Sequence, residues 1–189
     1  PGIAVSADGY GIVVGDADAP IQLELFTEPQ CDHCAHFQAT FGEDLKAHIR
    51  QGRLSVVYRV LTFFDDANST DYSAQVANAL FLTATPATTA ETFQDFVETL
   101  WANQDLATEF TQDDLADLAD RSGIDPGLVA AIRADRPGVD ATAMDAANSE
   151  RLNEVSPDAA GTPTVYDLKR DVVIDISDPN WLKALLRQV

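Results

Sequence analysis

The chain has 189 residues, enough for one domain, or one domain carrying a large insertion, around a sizeable core. Its 46% hydrophobic and 23% charged content is ordinary, but 31 acidic against 12 basic residues leave a net charge of −19. That sign disfavours nucleic acid and anionic membranes as partners, and no apolar run approaches the ~18 residues that span a bilayer. A solubilising acidic surface or salt adaptation would each account for the charge. No signal-peptide pattern is present, yet the chain opens Pro1-Gly2 and its single methionine is Met144. A processed or trimmed N-terminus is therefore expected.

Pro1 to Asp8 shows little pattern and reads as a poorly ordered arm. Gly11-Ile12-Val13-Val14-Gly15 reads as a short strand bounded by glycines. After a turn at Asp16–Pro20, the alternation of Ile21, Leu23 and Leu25 predicts a buried strand through Phe26. Phe37, Phe41, Leu45 and Ile49 then recur every four residues, as on one face of a helix. That helix should begin near Cys31 or Asp32 and run to about Arg50, with Gly52 as its stop signal. Leu54 to Val60 reads as a central strand.

From about Asp65 to Asp158 the pattern is helical. Ser69 or Thr70 can cap a helix through Leu82, and Thr89 the next, whose Phe93, Phe96, Val97, Leu100 and Trp101 form one apolar stripe. Thr111 starts a third helix and Asp125-Pro126 a fourth, with cap and first-turn proline in order. A fifth spans about Ala141 to Val155. Gly161 to Tyr166 and Val172 to Ile176 then predict a hairpin about Lys169-Arg170-Asp171, and Asp178-Pro179 a cap for a last helix.

The only two cysteines, Cys31 and Cys34, fall where the predicted strand gives way to the helix. A helix N-terminus offers unpaired N–H groups and the positive end of the macrodipole, so the Cys31 thiolate should form at lower pH than a free thiol's. Cys34, one turn on, is placed to attack a mixed disulfide formed at Cys31. His33 adds a positive charge or a donor beside the sulfurs. Cys-x-x-Cys between strand and helix is a redox signal. A structural disulfide of this span would constrain the unfolded chain little. Zinc would need four ligands, and only His33, His36 and His48 stand beside the cysteines, with no second pair at finger spacing.

Cys31-Asp32-His33-Cys34, with Gly161-Thr162-Pro163-Thr164 late in the chain, resembles the thioredoxin superfamily. The long segment between them resembles its DsbA-like branch, particularly the secreted or membrane-tethered proteins of actinobacteria, and the likeness runs from about Gly9 to Gln188. The resemblance implies an α/β, thioredoxin-like fold with an all-helical insertion. Residues 9–64 and 159–189 would form the thioredoxin-like domain, 65–158 the insertion and 1–8 the arm. It implies a protein thiol:disulfide oxidoreductase acting on reduced or misoxidised polypeptides outside the cytoplasm, reoxidised by a DsbB-like or VKOR-like membrane oxidase, with no cofactor or metal. Cys31 would be the attacked and attacking sulfur, Cys34 the resolving one, and His33 a stabiliser of the reduced thiolate. Thr162 and Pro163, joined by a cis peptide, would hold the substrate backbone; a trans, strand-starting proline is the plainer alternative.

Two departures from the family pattern bear on tuning. Asp32 stands where relatives often have proline, and its carboxylate would oppose the thiolate. Leu25 stands six residues before Cys31, where relatives often hold a buried acid. Glu24 should face the other side of the strand, which leaves Glu28 as the nearer substitute in sequence. A reductase or isomerase on the same fold, or a non-catalytic binding module with a structural cysteine pair, are the alternatives.

Overall fold

Ile21, Leu23 and Leu25 lie buried on one face of strand β3 (Ile21–Thr27), and Glu24 and Phe26 are buried on the other. A strand covered on both faces belongs inside a sheet. The structure, a computed structural model, describes residues 2–189. In it β3 runs parallel to β4 (Leu54–Val60), the connection between them being the long helix α1 (Asp32–Arg50). Strands β1 (Ile3–Val5) and β2 (Ile12–Val14) extend the sheet beyond β4, and β5 (Thr164–Asp167) and β6 (Val172–Val173) beyond β3. The order is β1-β2-β4-β3-β5-β6, and every pair except β3 with β4 is antiparallel.

The expected arm is therefore part of the sheet: Ile3 pairs with Val14 and Val5 with Ile12. The last strand is shorter than its apolar run. β6 ends at Val173, although the Ile174 N–H still donates to the Val165 carbonyl at 2.9 Å.

Helix α1 covers one face with α8 (Trp181–Leu186), where the Trp181 ring lies 6.0 Å from Phe37 and 5.3 Å from Phe41. Gly52, at φ +70°, gives α1 its left-handed exit. Between them come α2 (Phe63–Asn68), α3 (Tyr72–Thr83), α4 (Ala90–Ala102), a 3-10 helix at Gln104–Thr108, α5 (Gln112–Arg121), α6 (Pro126–Arg133) and α7 (Ala141–Val155). Thr89, Thr111 and Asp125 cap α4, α5 and α6 as expected, Thr111 in a full capping box with Asp114. At the start of α3 the Thr70 hydroxyl accepts the Tyr72 N–H at 3.0 Å, as one of the two expected caps, and the Asp65 carboxylate, from α2, takes the Ser73 and Ala74 N–H groups. Asn180, not Asp178, is the N-cap of α8.

The segment 65–158 is not one body against the sheet. Helix α4 lies along α1, where a Cβ at Gly42 would come within 2.5 Å of the Glu98 carboxylate. Helix α7 instead crosses the sheet's second face, packing Leu152 on Phe26 and Tyr166. Its Asn148 donates to the Tyr10 and Val60 carbonyls, each at 2.9 Å. Among the described residues no helix is long and apolar enough to cross a membrane.

Glu24 holds that second face together. It is 1% exposed and accepts from Arg59 Nε at 2.9 Å and Arg151 Nη2 at 2.8 Å. Removing one partner of such a buried ionic network strands the other charges away from water. Glu24→Ala should cost about 3–5 kcal/mol in urea unfolding. A loss below about 1 kcal/mol would show that both arginines find water or other acceptors.

Candidate redox site

Strand β3 ends at Thr27, and the turn Glu28-Pro29-Gln30 delivers Cys31 to the N-cap of α1. The Cys31 N–H donates to the Glu28 carbonyl at 3.0 Å. Its backbone is extended (φ −76°, ψ 120°), which aims the side chain back over the first helical turn. There the sulfur fills the place usually taken by a serine or aspartate oxygen, accepting the Cys34 N–H at 3.3 Å. Both cysteines are free thiols, Cys31 5% exposed and Cys34 1%.

The two sulfurs sit in opposed environments. The Cys34 thiol donates to the Cys31 thiolate, and this is the largest influence on Cys31. The Thr162 side chain and the Cys34 and His33 N–H groups add to it. Together they outweigh partial burial and bring Cys31 down to about 6. Cys34 is pushed strongly up, first by burial and then by the neighbouring Cys31, against weaker donation from the Glu28 N–H and the Thr27 side chain. One sulfur is a nucleophile at neutral pH and the other a proton-holding thiol.

Late in the chain, Thr162-Pro163 is a cis peptide beside this pair, and the Thr162 carbonyl lies 3.6 Å from the Cys31 sulfur. Pro163 and Thr162 share a mainly apolar groove of about 360 Å³ with His33, Phe37, Phe41 and Ile176. A second cavity of about 800 Å³ flanks Cys31 on the side of the helical segment. Asp32, Asp105 and Glu109 give it an acidic rim.

Of the residues singled out from sequence, Cys31, Cys34, His33, Thr162 and Pro163 come together at one surface. Asp32 is exposed at the rim of the larger cavity. Glu28 is fully buried, and its carboxylate is used within the turn. Oε1 accepts from the Gln30 N–H at 2.5 Å and the Ser73 hydroxyl at 2.9 Å, and Oε2 from the Phe64 N–H at 2.8 Å. Burial pushes this carboxyl up to about 7 despite the three donors. Glu24, held by its arginines on the opposite face, has no part in the site. His36 is exposed on the first turns of α1.

Sequence reasoning missed the residues that brace the turn. Gln30 Nε2 donates to Asp65 and to Ser73, each at 2.9 Å, and Gln104 Nε2 donates to the Pro29 and Cys31 carbonyls. Nothing in the local pattern of a glutamine marks such a contact. Glu43, Asp95 and Glu98 cluster as a cation site might, but the Lys46 ammonium already lies against all three.

The thioredoxin family's sequence profile matches residues 7–186, and the chain belongs to that family. Its fold is that of the DsbA-like thiol–disulfide oxidoreductases. It is similar to the thiol-disulfide oxidoreductase MdbA of Corynebacterium diphtheriae, with a TM-score of 0.79 and 20% identity over 96% of this chain and 92% of that one. The oxidised DsbA of Mycobacterium tuberculosis superposes with a TM-score of 0.73 and 19% identity, over 95% and 92% of the two chains. For BdbD of Bacillus subtilis the TM-score is 0.65 and the identity 23%, over 99% and 96%. The chain is also 28% identical over 183 residues to the serine/threonine-protein kinase PknE of Mycobacterium tuberculosis, covering 93% of this chain and 31% of the kinase. It thus spans about a third of the length of the curated relatives it matches.

The opposed thiols define an ordered reactivity. In reduced native protein, iodoacetamide should modify Cys31 with a half-maximal rate near pH 6 and leave Cys34 unmodified. Faster modification of Cys34 near neutral pH would reverse the assignment of nucleophile and partner.

Proposed function

We propose that the protein is a thiol–disulfide oxidoreductase that introduces disulfides into exported polypeptides through Cys31 and Cys34. The observation that carries this reading is the depressed thiol of Cys31 beside the raised thiol of Cys34. In the oxidised form, a substrate thiolate attacks the Cys31 sulfur, the Cys31–Cys34 bond breaks, and Cys34 leaves and takes up a proton. A second substrate thiolate then attacks the substrate sulfur of the mixed disulfide and expels Cys31 as a thiolate. Two electrons have passed to the cysteine pair, and the substrate carries the new disulfide. A stable Cys31 thiolate is a good leaving group and favours the reduced protein, which makes the oxidised form an electron acceptor.

Thr162 and Pro163 are assigned the substrate backbone, since Thr162 borders the Cys31 sulfur and both line the apolar groove. His33 supports the thiolate through its N–H and brings its side chain to that groove. Asp32 opposes the thiolate only weakly, because water screens an exposed carboxylate. A DsbB-like or VKOR-like membrane oxidase would return the pair to the disulfide. The setting is an extracytoplasmic, oxidising compartment, where such disulfides persist.

The reduction potential tests the direction of exchange. With a thiol near 6, the pair should lie between thioredoxin at about −270 mV and DsbA at about −120 mV. A value at or below about −270 mV would favour reductase work instead. In the reverse direction the Cys31 thiolate attacks a substrate disulfide, expelling one substrate thiolate, and Cys34 resolves the mixed disulfide by re-forming the Cys31–Cys34 bond. Cys34→Ala should therefore accumulate mixed disulfides with disulfide-bonded substrate; a variant that accumulates none would remove Cys34 from the resolving role.

Glu28 is proposed to tune the site through the turn it ties together. Its folded pKa is raised from 4.5 to about 7, so its stabilising share is full below about pH 4.5 and is lost as pH rises through about 7. In the oxidised protein, where neither thiol titrates, Glu28→Gln should flatten the decline in stability between pH 5 and pH 8 measured by urea unfolding. Glu98, also raised to about 7 by burial, contributes to the remaining slope. An unchanged profile would show that Glu28 ionises freely in the fold.

A further inference from the structure

We propose that Gln104, on the helical segment, is a positioning residue for Cys31: its side-chain amide holds the turn that gives the nucleophilic sulfur its donors. The inference takes Cys31 as the exchanging sulfur and extends that reading to the element that places it.

Gln104 Nε2 donates to the Pro29 carbonyl at 2.8 Å and to the Cys31 carbonyl at 2.9 Å. One nitrogen thus spans the residues on either side of Gln30, using both of its hydrogens. The Cys31 carbonyl also receives the Ala35 N–H at 3.1 Å, the first hydrogen bond of α1. The amide therefore acts where the turn becomes helix, on the residue whose extended backbone brings its sulfur to the Cys34 N–H at 3.3 Å. Without that restraint Cys31 can rotate at the helix entrance, and the sulfur loses alignment with the Cys34 and His33 N–H groups.

The anchor behind Gln104 is firm. It stands just past Asn103, the C-cap of α4, whose Phe93, Phe96, Val97, Leu100 and Trp101 are each at most 1% exposed. It also opens the 3-10 helix Gln104–Thr108 and forms part of the wall of both the 800 Å³ cavity and a neighbouring one of about 530 Å³. On the far side of the turn, Gln30 reaches outward to Asp65 and Ser73. The helical segment thus grips the turn from two directions, and Gln104 is the grip that touches the nucleophile's own peptide.

The test is Gln104→Leu, which keeps the bulk and removes both donors, with Thr108→Val in the same 3-10 helix as control. Thr108 donates only to the Asp105 carbonyl and does not reach the turn. Cys31 titration in reduced protein, read by thiolate absorbance and by alkylation rate, is the readout. In Gln104→Leu the half-point should rise by about one pH unit, the scale of one lost donor to the sulfur, and alkylation at pH 6 should fall about fivefold. The reduction potential should become more negative in step, and Thr108→Val should change neither. Gln104→Asn, which keeps the amide but shortens its reach, should shift the half-point in the same direction and serves if the leucine variant does not fold. A folded Gln104 variant that titrates within about 0.2 units of the parent would overturn the proposal. So would an equal shift in Thr108→Val, which would mean general loosening of the segment. Should the parent protein prove unable to exchange disulfides, the proposed function fails, while the Cys31 titration still reports on Gln104.

Discussion

The whole site depends on a sulfur serving as a helix cap. A capping oxygen satisfies one of the N–H groups left over at a helix start and has no further chemistry to offer. At Cys31 the same position does two things at once: it satisfies the Cys34 N–H and it stores negative charge on a nucleophile. The parallel pairing of β3 with β4 requires a crossover helix to begin just past β3, which fixes where that cap stands. Cys34 then falls one turn inside the helix, under cover of the fold, where it keeps its proton. The asymmetry between the two sulfurs follows from their being at the end and the inside of the same helix.

Much of this was legible in the sequence because it is local. The alternation of Ile21, Leu23 and Leu25, the four-residue spacing from Phe37 to Ile49, and the caps at Thr89, Thr111 and Asp125 each report short-range geometry, and each element stands where the pattern put it. The elements that escaped are too short to show a period. Helix α2 has six residues and β1 three, and both exist through tertiary partners: Phe64 N–H on Glu28, and Ile3 and Val5 against β2. The bracing of the turn was illegible for a different reason. Gln104 lies 73 residues from Cys31 in sequence, and an amide carries no compositional mark of the carbonyl it will meet.

Cys31 divides two unlike surfaces. On the Pro163 side, aromatic rings and a few polar groups line the smaller groove. On the other, acidic and amide side chains line a cavity more than twice as large. Any chain reaching the sulfur meets an apolar wall on one hand and a wet, negative one on the other. Asp32, Asp105 and Glu109 place part of the protein's negative charge there.

Helix α7 gives the architecture a property that the linear description hides. By chain order it belongs with the helices inserted into the thioredoxin-like frame, yet by packing it is the sheet's outer cover, joined to it through Arg151 and Asn148. Cutting out 65–158 and closing the gap would not leave a smaller relative. It would bare Phe26 and Tyr166 to water and take from Glu24 one of its two arginines. The cover that α7 provides is thus part of what keeps the second face of the sheet dry.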